Sequence, residues 1–75
     1  MTEINKKVFL IISRCIKVDI DSINLQSSPK DFERWDSLSN LRILSEIERE
    51  FGKKINFGKL FRIKNIKELI TLISK

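Results

Sequence analysis

The chain has 75 residues, 15 of them basic and 10 acidic, with no histidine and a single cysteine, Cys15. That length makes one domain, residues 1–75, with a modest core, and the composition excludes an internal disulfide, a zinc site and a histidine-assisted nucleophile. The longest apolar run, Val8-Phe9-Leu10-Ile11-Ile12, is far shorter than the roughly 20 residues of a membrane span and shorter than a signal-peptide core, so a soluble chain is expected; the lone cysteine fits a reducing cytoplasm, and a monomer is expected.

The net charge of +5 has two readings of equal weight. A basic chain can bind nucleic acid or an anionic membrane. The abundance of Lys, Ile and Asn can equally reflect the base composition of a genome.

Taken in chain order, the apolar residues Ile4, Val8, Ile11, Ile12 and Cys15 recur at helical spacing and predict an amphipathic first helix, with Thr2 as its N-cap. Cys15 lies on that stripe and reads as a small core residue. Between Lys17 and Asp36 the periodicity fails. Asp19, Asp21, Ser22, Asn24, Ser27, Ser28 and Pro29 are turn formers, yet Ile20, Ile23, Leu25, Phe32 and Trp35 are scattered among them. A loop of this length inside so small a domain must pack down or carry function. Phe32 and Trp35 are expected to anchor it.

A second helix is predicted from Asp36 or Ser37 to Phe51, with apolar positions Leu38, Leu41, Ile43, Leu44, Ile47 and Phe51 and a left-handed cap at Gly52. Asn56 to Phe61 suggests a short third helical turn, and Asn65 caps a last helix lined by Ile66, Leu69, Ile70 and Ile73. No period-two alternation or hairpin turn argues for strands. The predicted fold is all-α: three main helices and one short one, with a long structured loop between the first two.

The informative segment is Trp35-Asp36-Ser37-Leu38. A hydroxyl opening a helix faces unpaired backbone N–H groups and the positive end of the macrodipole, which favours a phosphodiester there. With Ile47-Glu48-Arg49-Glu50-Phe51-Gly52 closing the helix and Asn65-Ile66-Lys67-Glu68-Leu69 opening the last one, the whole chain resembles the acyl carrier proteins and peptidyl carrier domains. Trp35 before the Asp-Ser-Leu triplet resembles a subset of stand-alone carriers from specialised biosynthetic clusters.

The resemblance implies that Ser37 receives 4′-phosphopantetheine from coenzyme A through a separate phosphopantetheinyl transferase. It implies that Asp36 helps hold the Mg²⁺ of that reaction as well as capping the helix. The chain would then carry an acyl or aminoacyl intermediate as a thioester, catalyse nothing, and serve loading and downstream biosynthetic enzymes. Leu38, Arg42, Ile43, Glu46 and Glu50 are the candidate partner contacts; of these Leu38 is expected first in the core, and Ile43 at the edge of the apolar arc.

Most free-standing carriers of this kind are strongly acidic, and here the charges depart from that pattern. Residues 36–51 carry net −2 and residues 52–75 net +6, and on the outer face of the second helix Arg42 and Arg49 are expected to cancel Glu46 and Glu50. A dedicated pathway is therefore expected rather than bulk fatty-acid synthesis. The alternative is a small basic helical nucleic-acid-binding module using Lys53, Lys54, Lys59, Arg62, Lys64 and Lys67. Against it, the last helix has Lys67 as its only interior basic residue, so no nucleic-acid partner is expected. A structural bundle that only binds a protein is a third reading.

Overall fold

The computed structural model describes residues 3–74, Phe57 by its backbone alone. The expected cap at Thr2 lies outside the described residues. Helix α1 runs Glu3–Ile16, α2 Ser37–Phe51, α3 Phe57–Arg62 and α4 Ile66–Ser74, with short 3₁₀ turns at Ile20–Ser22 and Pro29–Asp31 in the first loop. Among the described residues there is no strand, and no helix is long and apolar enough to cross a membrane.

The first two helices end where their chemistry says they should. After α1, Lys17 takes a left-handed conformation (φ 58°) and the N–H of Val18 donates to the carbonyl of Ser13 at 3.1 Å, the six-to-one bond of a Schellman cap. Gly52 closes α2 at φ 65° with its N–H donating to the Glu48 carbonyl at 2.9 Å. Nothing lies within 4 Å of the Cβ that an alanine would place at Gly52, so only backbone strain opposes that change. Gly52→Ala should cost about 1–2 kcal/mol, read as a lower melting temperature by circular dichroism.

Val8, Ile11, Ile12 and Ile16 of α1, Ile43 and Ile47 of α2, Leu60 of α3, and Ile66, Leu69 and Ile73 of α4 form one core. Cys15 packs half-buried against it, as its place on the stripe predicts. Burial pushes its thiol pKa up, and Glu46 adds to this against the opposing Arg14 and Arg42, so it is held as a neutral thiol, a poor nucleophile.

The long loop packs down. Ile23 and Trp35 are buried and Leu25 and Phe32 lie against the core. The carbonyls of Ser27 and Leu25 accept the N–H groups of Ile66 and Lys67 at 2.9 and 3.0 Å, so the loop satisfies two of the donors that the start of α4 would otherwise leave unpaired. Asn65 caps the same turn, accepting the Glu68 N–H at 3.0 Å, and the Glu68 carboxylate reaches back to the Lys64 N–H at 2.9 Å.

Two expectations for α2 are corrected. Leu38 is 60 % exposed rather than packed inward. It stands nine positions before the fully buried Ile47, and at about 100° per residue that is half a turn round the helix. Ile43 is fully buried, four residues from Ile47 on the same stripe, so a docked partner cannot reach it at the edge of the apolar arc. The inward face at the start of α2 is instead taken by Ser39 and Asn40, both buried.

Candidate functional site

The site is built by the cap of α2. Asp36 holds extended backbone (φ −103°, ψ −171°) and its Oδ1 accepts the Ser39 N–H at 2.9 Å, the N-cap-to-third-residue bond that starts a helix. Ser39 Oγ in turn donates to the Arg34 carbonyl at 2.6 Å. Trp35 is buried, and its indole N–H donates to Asn40 Oδ1 at 2.6 Å. These bonds bracket Ser37 from both sides and tie the loop to the first turn of α2.

Ser37 itself is the first residue of α2 and is exposed. Its hydroxyl makes no hydrogen bond among the described residues. It is therefore an accessible, unpartnered hydroxyl beside a capped helix start, at the positive end of a 15-residue helix.

The Asp36 carboxyl is held below the ordinary aspartate value, chiefly by the bond from the Ser39 backbone. A group whose pKa falls on folding stabilises the fold only while ionised. That contribution is fully present above the ordinary value of about 3.9 and is lost as pH falls through the lowered one. The melting-temperature gap between wild type and Asp36→Ala should thus be open at pH 7 and shrink on acidification below about pH 4. A gap unchanged down to pH 2 would contradict the assignment. The carboxylate lies in open solvent, so the gap should be small.

Asp36 and Leu38, on either side of Ser37, line a cleft together with Lys17, Arg34, Ser39 and Arg42. A second cleft, sharing Cys15 and Arg42 with the first, continues along α2 past Leu41, Ser45 and Arg49. Of the expected partner contacts, Leu38 and Arg42 are exposed beside Ser37. Glu46 is ion-paired with Arg14 at 3.2 Å and with Arg49 at 3.6 Å, and Glu50 is turned to Lys7 of α1 at 3.2 Å. The cancellation expected on the outer face of α2 is therefore only partly internal to that helix: α1 supplies Lys7 and Arg14. Leu41, 48 % exposed, joins Leu38 on the surface. Its spacing of three from Leu38 is the signal that marks the pair as a stripe.

These features define a class: a small helical module that offers a serine hydroxyl on a rigid helix start. A family model described as the phosphopantetheine attachment site matches residues 6–73, and the chain belongs to that family of carrier domains. No curated protein and no solved structure matches it in the same comparisons. The family's prosthetic group is 4′-phosphopantetheine, and its members work with phosphopantetheinyl transferases and biosynthetic enzymes. The residues present suit the group. An exposed, unpartnered serine hydroxyl at a helix N-terminus, with Lys17, Arg34 and Arg42 lining the adjacent cleft, can accept a phosphodiester and balance its charge.

Proposed function

We propose that this chain is a carrier protein that bears 4′-phosphopantetheine on Ser37 and holds an acyl or aminoacyl intermediate for the enzymes of a dedicated pathway. The observation that carries the reading is the unpartnered Ser37 hydroxyl at the first position of α2, in a chain matched over residues 6–73 by the attachment-site family.

In the loading step the Ser37 oxygen bonds to the pantetheine phosphate of coenzyme A as the pyrophosphate bond breaks, and the adenosine bisphosphate half leaves. The serine proton goes to the transferase, because this chain has no histidine and its nearest acid, Asp36, is committed as an ionised cap. Asp36 Oδ2 remains able to face the Mg²⁺ of that reaction, a hard cation that prefers oxygen ligands. The bound arm supplies a thiol for thioester formation. The chain supplies tethering, which raises the local concentration of the intermediate, and recognition, and turns nothing over by itself. It works in the cytoplasm as a monomer, with residues 1–75 forming one carrier domain.

Incubation of the purified chain with coenzyme A, Mg²⁺ and a transferase of broad carrier range tests this. Intact-mass analysis should show one phosphopantetheinyl group added per chain. No addition with several such transferases would overturn the reading.

A further inference from the structure

The surface beside Ser37 carries the opposite charge to the one the second helix suggests by itself. All three glutamates of α2 have partners within the chain. Glu46 pairs with Arg14 and Arg49, Glu48 accepts the Ile55 N–H at 3.2 Å, and Glu50 pairs with Lys7. Lys17, Arg34 and Arg42 form no ion pair among the described residues. The two adjoining clefts are lined by five basic side chains, those three with Arg14 and Arg49, against only Asp36 and Glu46.

The same surface is apolar at its centre. Leu38 and Leu41 are 60 % and 48 % exposed, and with Arg42, Ser45 and Arg49 they fall at helical spacings of three and four along one stripe. An exposed apolar pair rimmed by unpaired like charges beside a reactive group has the anatomy of an interface, with an apolar centre and a polar rim.

We infer that this face docks protein partners whose own surface presents carboxylates around an apolar centre. The inference rests on the carrier reading and adds the chemistry of the enzymes that the carrier meets. A partner with a basic docking patch is repelled by Lys17, Arg34 and Arg42, whereas an acidic rim is steered in by them. Leu38 and Leu41 then supply the contact area that survives salt.

Two amphipathic helical peptides with one leucine pattern test it, the first with glutamate and the second with lysine at every polar position. Each is titrated into the ¹⁵N-labelled full chain and followed by amide shifts. At low ionic strength the acidic peptide should bind at least about 10-fold tighter than the basic one, and the shifts should centre on Lys17, Arg34, Leu38, Leu41 and Arg42. The preference should reverse in Arg34→Glu/Arg42→Glu and fade near 1 M salt, where the Debye length is about 3 Å. If the charge-reversed variant does not fold, Arg34→Gln/Arg42→Gln should lose the preference instead.

Equal or tighter binding of the basic peptide would overturn the inference, as would no shifts with the acidic one or shifts centred on residues 59–67. Tighter binding of a DNA duplex or of phosphatidylglycerol vesicles to the same face would also overturn it, by assigning the face to a polyanion. The titration involves no modification of Ser37, so its failure and a failure of loading are read separately.

Discussion

Ser37→Ala should reduce phosphopantetheinyl loading to nothing measurable while leaving the fold as it is. The two halves of this result have separate causes. The hydroxyl is the only serine oxygen in the first turn of α2 that is free: Ser39, two residues on, is buried and spends its hydroxyl on the Arg34 carbonyl. Relocation of the modification to a neighbour is therefore blocked by burial and by an existing hydrogen bond. The fold should not suffer, because the cap is Asp36 rather than Ser37, and an exposed substitution that touches no partner shifts stability by about 0.5 kcal/mol at most. Circular dichroism and intact-mass loading assays on the same samples check both halves. Loading that persists in the folded variant would remove Ser37 as the attachment site.

Trp35→Ala should be the most damaging single change to the fold near the site. It deletes a large buried side chain, about 3–5 kcal/mol for an aromatic truncated to alanine. It also leaves the buried Asn40 carbonyl without its donor. A chain of 75 residues has a total stability of only about 4–11 kcal/mol, so the variant should be largely or wholly unfolded at 37 °C. Asn40→Ala makes the complementary test, stranding the indole N–H at a cost of about 1–3 kcal/mol. At about 4–8 °C per kcal/mol for a domain of this size, thermal melts should rank wild type above Asn40→Ala and Asn40→Ala above Trp35→Ala. Trp35 is the only tryptophan, so its fluorescence follows the same site in wild type and in Asn40→Ala. A Trp35→Ala melt within a few degrees of wild type would mean that the loop is not held by this residue.

The parts of the fold that could be read from the sequence are those set by local chemistry. Asp36 before Ser37, Gly52 after Phe51 and Asn65 before Ile66 each mark a helix end by a side chain or a backbone conformation acting within four residues, and all three stand where that chemistry puts them. The anchoring of the loop was legible from Trp35 and Phe32 because large apolar side chains in a short chain have one core to join.

The outward turn of Leu38 was also within reach of the sequence, since its half-turn offset from Ile47 is arithmetic. The apolar residues of α2 do not form one arc: Leu38 and Leu41 face solvent, and Ile43 and Ile47 face the core. The burial of Ile43 follows from its place four residues from Ile47, about 40° away on the same stripe. The charge of the face beside Ser37 could not be read in this way. Lys7 and Arg14 of α1 reach the glutamates of α2, and Lys17 and Arg34 gather beside Asp36 and Arg42, only once α1 and the loop have packed. Counting charges by segment cannot sum across elements that meet only in three dimensions.

Whether Ser37 carries the arm is tested most directly by tandem mass spectrometry of the protein isolated from its native host. A peptide spanning Trp35 to Arg42 should carry phosphopantetheine, with the fragment ions placing it on Ser37. A chain recovered entirely unmodified from cells with an active transferase, or modified at a different serine, would contradict it.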